Sequence, residues 1–210
     1  MIKKIIFDVD NTLIKWDDSN WDIIIELLKL YGSSDPFNDF KLVKEAYFES
    51  EENEIKMDEK ILLKHLNNKL SVKVDLNFID KVLTHWSKQA YKADIEVINL
   101  FKYLKDKYEI VIMTNAFYVV QRNRLDIMGL LPYINKIYSC DNNGLKPNKF
   151  SYMNVCGKQK PNNCVIIGDN IDLDYFYPIK YGLNAILFDE KNINNAINKI
   201  TNLLELKNIL

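Results

Sequence analysis

The chain has 210 residues, with 28 Lys plus Arg against 29 Asp plus Glu and a net charge of −1. No basic field exists to hold nucleic acid or an anionic membrane, and no apolar run is long enough to span a bilayer. Lys3-Lys4 before Ile5-Ile6-Phe7 could open a signal peptide, but Asp8 and Asp10 interrupt the apolar run too early.

In chain order, the first element is a short apolar strand, Ile5-Ile6-Phe7, ending at Asp8. The next continuous strand-like run, Ile110-Val111-Ile112-Met113, begins about a hundred residues later, so an insertion separates the two. Residues 16–92 form that insert, leaving 1–15 and 93–210 as the α/β core. The insert reads as helical. Trp21, Ile24, Ile25 and Leu28 follow the i, i+3, i+4, i+7 rule, with Ser19 as N-cap, and Asp35-Pro36 begins a loop. Further helices are predicted over about 39–51, 59–69 and 76–90, and another over about 94–107 leads into the second strand.

Beyond it, strand and helix alternate as a doubly wound parallel sheet requires. The predicted elements are a helix near 117–128 ending at Gly129, a strand near 136–140, a helix near 149–158 and the strand Val165-Ile166-Ile167. A helix near 171–181 ending at Gly182 and a strand at 185–188 follow. A last helix carries Ile193, Ala196, Ile197, Ile200, Leu203 and Leu204 on one face. Cys140, Cys156 and Cys164 are odd in number and lack metal-type spacing, so they read as reduced thiols of a cytoplasmic protein.

Polar residues follow the strand runs at once: Asp8-Val9-Asp10-Asn11-Thr12, Thr114-Asn115, and Gly168-Asp169 with Asp174, joined by Lys146-Pro147. In open α/β sheets ligands bind outside the carboxyl ends of the strands, so these groups converge on one crevice. Asp8 and Asp10 share strand parity. Both face the crevice if the strand runs straight past Phe7, and only one does if it bends. Four carboxylates near one point repel by about 4 kcal/mol per contact at roughly 4 Å and an effective dielectric of about 20, so the cluster needs a cation. Few, hard oxygen ligands suit Mg²⁺ completed by substrate phosphate. Lys146 adds positive charge, and Thr114 with Asn115 adds hydroxyl, amide and backbone donors, a set that fits phosphate. Alone, a Gly-Asp or Thr-Asn is an ordinary turn and Lys146 a solvated loop lysine; their joint placement reverses that. His65 and His85 lie in helical patterns of the insert and read as packed or surface residues.

These motifs resemble those of the haloacid dehalogenase superfamily. Asp8-Val9-Asp10-Asn11-Thr12-Leu13 is similar to its first motif, Thr114-Asn115 to its second, Lys146-Pro147 to its third, and Gly168-Asp169 with Asp174 to its fourth. Asn11 stands where the commonest motif has Gly, and Asn148 where an Asp often follows Lys-Pro. The resemblance implies a Rossmann-like core with a helical cap at 16–92, hinged near residues 13–18 and 89–94. It implies Asp8 as nucleophile, forming an aspartyl-phosphate, and Asp10 as general acid and base. It further implies Thr114 and Lys146 on the phosphoryl oxygens, Mg²⁺ held by Asp8, the Asp10 backbone carbonyl and Asp169, and Asp174 supporting Lys146 or the metal. The family's dehalogenases lack an acid two residues after the nucleophile, because a halide leaves without a proton. The implied activity is therefore phosphomonoester hydrolysis on a small phosphorylated metabolite, by a monomer or homodimer, with a phosphomutase or a non-catalytic phosphate-binding module as alternatives. Thr114-Asn115-Ala116-Phe117, Gln121, Arg124-Leu125 and Gly144 to Lys149 look similar to helical-capped members that include pyrimidine 5′-nucleotidases, which points to a nucleoside monophosphate.

Overall fold

The computed structural model describes residues 1–210. β1 (Lys4–Phe7) is followed by four helices, α1 (Asp22–Leu30), α2 (Pro36–Asn53), α3 (Glu59–Lys69) and α4 (Leu76–Trp86). Then come α5 (Ile95–Lys105), β2 (Glu109–Met113), α6 (Tyr118–Ile127), β3 (Lys136–Tyr138), α7 (Lys149–Cys156) and β4 (Cys164–Gly168). α8 (Tyr177–Lys180), β5 (Asn184–Phe188), β6 (Lys199–Ile200) and α9 (Leu206–Ile209) complete the chain.

All strands run parallel, in the order β3-β2-β1-β4-β5-β6. β1 is central and buried along its whole length, because helices cover both faces of a parallel sheet. One face packs Ile5, Phe7, Ile110 and Ile112 against Leu100, Phe101 and Leu104 of α5. The other packs Ile6, Val111 and Ile166 against Tyr152, Val155 and Cys156 of α7. Lys4 is buried at the end of α7. Its Nζ donates to the carbonyls of Val155 (2.8 Å) and Cys156 (3.2 Å), satisfying acceptors the helix leaves open. The sheet order reverses at β1: β2 and β3 extend to one side and β4, β5 and β6 to the other. A crevice therefore opens at the carboxyl ends of β1 and β4.

The helices of 22–86 share an apolar core of Trp21, Leu28, Phe78, Val82, Leu83 and Trp86 that continues into Phe117, Val120, Cys140 and Leu145. Their packing thus reaches the loops beside Thr114 and Lys146. No helix is long and apolar enough to cross a membrane.

Several boundaries differ from the sequence expectations. Ser19 is not the N-cap: the Asp17 carboxylate accepts from Ser19 N at 2.8 Å and caps a 3-10 turn over Asp18–Trp21 ahead of α1. Asp35-Pro36 starts a helix rather than a loop. Asp35 caps α2 through Asn38 N, and Pro36 fits the first turn, where an N–H has no partner to lose. The helix expected at 76–90 stops at Trp86. The one expected near 171–181 is a wide turn over Ile171–Phe176 followed by α8. The last helix expected is absent: Ile193 and Ile197 are 75% and 93% exposed, and Lys199–Ile200 instead forms β6 beside β5. The Asp189 carboxylate captures the N–H groups of Ile193 (3.2 Å) and Asn194 (2.7 Å), and Asn192 takes a left-handed φ of 54°, so the chain turns back to the open edge of β5.

Candidate active site

Asp8 follows β1 directly, and beyond it the chain turns. Thr12, Leu13 and Ile14 all donate their N–H to the Val9 carbonyl, and Asn11 sits at φ 58°. Asn tolerates that left-handed conformation, which explains how it replaces Gly here. Although the strand does not run straight on, Asp8 and Asp10 both line one cavity of about 330 Å³, with Thr114, Asn115, Lys146, Asp169 and Asp174. The structure therefore brings together every candidate site residue.

Lys146 is buried, and its Nζ donates to Asp8 Oδ1 at 2.8 Å and Asp174 Oδ1 at 2.7 Å. Burial works to lower its pKa, but the charges of Asp174 and Asp8 outweigh burial and hold the ammonium above its ordinary value. Burial drives the Asp8 carboxyl well above the usual carboxylate range, against the pull of Lys146. Asp169 is pushed up to about 6, by burial first and the charge of Asp174 second. Thr12 Oγ1 lies 3.5 Å from Asp8 Oδ2 and 3.4 Å from Asp169 Oδ1, bridging the two.

Carboxylate oxygens of Asp8, Asp169 and Asp174 lie within 4.8 Å of one another. With all three ionised, the single ammonium would leave two negative charges uncompensated on an all-oxygen donor set, which fits a divalent, hard cation. The Asp10 carboxylate lies outside this group. Its Oδ1 accepts from Arg124 Nη1 at 2.5 Å and its Oδ2 from Gln121 Nε2 at 2.6 Å.

Thr114 follows β2, with its N–H bound to the Tyr138 carbonyl at 3.0 Å. Its Oγ1 accepts from Ala116 N and Gln121 Nε2, leaving its hydroxyl hydrogen for an oxygen in the cavity. The Asn115 amide is engaged with the neighbouring loop. Its Oδ1 accepts from Lys146 N at 2.7 Å and its Nδ2 donates to Lys146 O at 3.2 Å, so the amide shapes the loop that presents Lys146. That loop contains a cis Lys146-Pro147 bond, and Asn148 caps α7 through Phe150 N. Asp174 N–H donates to the Asn170 carbonyl, and Asn170 N donates back to Asp174 Oδ2 at 3.2 Å, which aims the acid at Lys146.

In the sequence Thr12, Gln121 and Arg124 stand out only as marks of resemblance, with no role in the site, and Glu51 does not stand out at all. Glu51, Tyr47, Phe48 and Lys44 lie on one face of α2, spaced i, i+3, i+4, i+7, and line the cavity with Trp16, Trp21 and Trp86. Burial pushes Glu51 up to about 7, while Lys146 acts in the opposite sense. The Lys44 ammonium lies 5.2 Å from the Trp21 ring centre and 3.8 Å from Asp18. His65 pairs with Glu54 at 3.0 Å and His85 with Gln89 at 3.1 Å; neither lines the cavity.

Several solved structures share this architecture over nearly the whole chain. YfnB from Bacillus subtilis, a HAD-hydrolase in its magnesium-bound form, superposes with a TM-score of 0.73 at 20% identity, covering 100% of this chain and 98% of that one. A HAD phosphatase from Thermococcus onnurineus gives 0.69 at 21% identity, covering 99% and 97%. L-2-haloacid dehalogenase from Xanthobacter autotrophicus, with chloropropionic acid covalently bound, gives 0.69 at 12% identity, covering 100% and 98%. At these identities the likeness speaks for the fold. No curated protein matches the sequence. The profile of the haloacid dehalogenase-like hydrolases, however, matches residues 2–175, a stretch holding all four motifs and every strand end that feeds the cavity: the chain belongs to that family.

Proposed function

We propose that the protein is a Mg²⁺-dependent phosphatase that hydrolyses a small phosphomonoester through an aspartyl-phosphate on Asp8. The observation that carries this reading is Asp10, a second carboxylate two residues beyond Asp8 that lines the same cavity. A halide needs no proton to depart, whereas an alkoxide does. Asp8 Oδ attacks phosphorus while the P–O bond to the leaving group breaks and the Asp10 carboxyl gives its proton to the departing oxygen. The Asp10 carboxylate then takes a proton from the water that attacks the aspartyl-phosphate, and inorganic phosphate and free Asp8 result. Thr114 and Lys146 bind phosphoryl oxygens, and Lys146 also neutralises Asp8 before attack. Asp8, Asp169 and the Asp10 backbone carbonyl would hold Mg²⁺, with Asp174 supporting Lys146. Bound there, the cation screens the carboxylates from the incoming phosphate.

The helices of 16–92 serve as a cap that excludes water. The B. subtilis relative is described as showing interdomain movement, which agrees with such a cap. The cavity supports a nucleoside monophosphate as substrate: Trp21, Tyr47, Phe48 and Trp86 offer aromatic faces, with Glu51 and Lys44 as polar anchors among them. A phosphate-release screen of phosphorylated metabolites, with Mg²⁺ and with EDTA, tests the reading. Release that needs Mg²⁺ and favours nucleoside monophosphates is expected. Halide release from 2-haloacids with no phosphate release from any ester would overturn it.

A further inference from the structure

Arg124 on α6 has no exposed surface, and its polar contacts reach both the site and the insert. Its Nη1 donates to Asp10 Oδ1 at 2.5 Å and to Gln121 Oε1 at 3.2 Å. Gln121, one turn earlier, donates to the other Asp10 oxygen at 2.6 Å and reaches Thr114 Oγ1 at 3.3 Å. Both oxygens of Asp10 are thus held from one helix, and the same amide contacts a phosphate-binding residue. On its other side, Arg124 Nε donates to the Gln89 carbonyl at 3.1 Å, and its guanidinium carbon lies 5.5 Å from the Trp16 ring centre. Trp16 and Gln89 stand where the chain enters and leaves the helical insert. One buried cation therefore touches Asp10 and both crossings. Its Nη2 is buried without an acceptor, so the guanidinium does not satisfy all its own donors in this place. A buried charge is costly unless its partners compensate for it, and an apolar side chain of similar size would fill the space.

We propose that Arg124 is a positioning residue: it fixes the plane of the Asp10 carboxylate and ties that plane to the position of the helical insert through Gln89 and Trp16. This rests on the phosphatase reading, in which Asp10 moves the proton. Arg124 Nη1 on Oδ1 and the Gln121 amide on Oδ2 together set the direction of the carboxylate, while Arg124 Nε holds the Gln89 carbonyl; a lysine ammonium has no second nitrogen with which to reach both ends at once. Any shift of the insert that carries Trp16 or the Gln89 carbonyl with it moves the guanidinium, and Asp10 follows. Proton transfer to the leaving oxygen then becomes efficient in one placement of the insert.

The test is steady-state kinetics of Arg124→Lys, Arg124→Gln and Trp16→Leu on p-nitrophenyl phosphate and on the best alkyl phosphate from the screen. Melting curves are recorded alongside. General acid catalysis contributes about 10²–10⁴-fold, and an aryl oxide needs it least. Arg124→Lys should therefore lower kcat/KM, which reports the step that expels the leaving group, by about 100-fold for the alkyl ester and by less than about 10-fold for the aryl ester. Trp16→Leu, which keeps the buried cation, should shift the alkyl-to-aryl ratio in the same direction and should add nothing in the Arg124→Lys background. If Arg124→Gln does not fold, Arg124→Lys and Trp16→Leu decide the matter. Equal losses of kcat/KM on both esters would mean that Arg124 only supports the fold, and additive effects would sink the tie to the insert. An active wild type with an unchanged ratio in the variants overturns this proposal alone; a wild type inactive on both esters overturns the phosphatase reading and the proposal with it.

Discussion

A methyl group on Gly168 would meet the Asp174 carboxyl carbon at 2.3 Å, closer than any real contact. The glycine ending β4 is there because the acid supporting Lys146 crosses directly over it. Gly168→Ala should push Asp174 aside, cost about 1–3 kcal/mol as overpacking does, and remove one of the two carboxylates that orient Lys146. Turnover should fall with it. Truncating the acid in Gly168→Ala/Asp174→Ala should recover part of the lost melting temperature and none of the activity. Stability losses that simply add in the double variant would contradict the steric account.

Much of this arrangement is legible in the sequence for one physical reason. β1, β2 and β4 are buried on both faces, so they read as unbroken apolar runs, and a parallel sheet delivers whatever follows such runs to one edge. Asp8, Thr114 and Asp169 are found by that rule alone. Arg124, Gln121 and Glu51 escape it because they come from helices, whose rotation toward the site is set by packing. Gln121 and Arg124 look like surface residues of α6 until Asp10 is placed against them. The stretch from Ile193 to Leu204 fails for the opposite reason. Its apolar spacing suits a helix, but Asp189 and the open edge of β5 compete for the same backbone and win.

The metal site gives a second prediction. Asp169 is one of three carboxylates whose oxygens lie within 4.8 Å, and Lys146 offsets only part of their charge. Asp169→Asn should leave the fold intact, with a melting temperature in EDTA no lower than that of the wild type, because burial already raises this carboxyl to about 6, and it should weaken Mg²⁺ binding by at least about 100-fold, more than is lost when an outer partner of a ligand is removed. Titration calorimetry and phosphate release across Mg²⁺ concentrations check it. Full activity of this variant, or of the wild type in excess EDTA, would remove the metal from the reading.

Glu51 yields a prediction about pH. Burial raises its carboxyl from the ordinary 4.5 to about 7 in the folded protein. Between those values the folded chain keeps a proton that the unfolded chain has lost, so this group makes stability fall as pH rises from about 4.5 through 7. The gap corresponds to up to about 3 kcal/mol, fully expressed above pH 7. Glu51→Gln should therefore melt higher than wild type at pH 8 in EDTA and match it near pH 5. A difference in melting temperature that does not vary with pH would contradict the assignment.

The last prediction separates the two carboxylates of the first motif. Asp8 lies 2.8 Å from the Lys146 ammonium, as a nucleophile that must meet a phosphate dianion requires. Asp10 is instead gripped by Arg124 and Gln121. Asp8→Asn removes the attacking oxygen, so no covalent intermediate forms and turnover should drop to background. Asp10→Asn keeps the nucleophile and loses the proton carrier, at a cost of about 10²–10⁴-fold on alkyl esters and less on p-nitrophenyl phosphate, where the later attack of water still needs a base. Incubated with an activated phosphoryl donor and then quenched in acid, the Asp10 variant should accumulate hydroxylamine-sensitive phosphoprotein, because formation outruns hydrolysis. The Asp8 variant should carry no label. Label on the Asp8 variant, or turnover indifferent to both changes, would refute the division of roles between them.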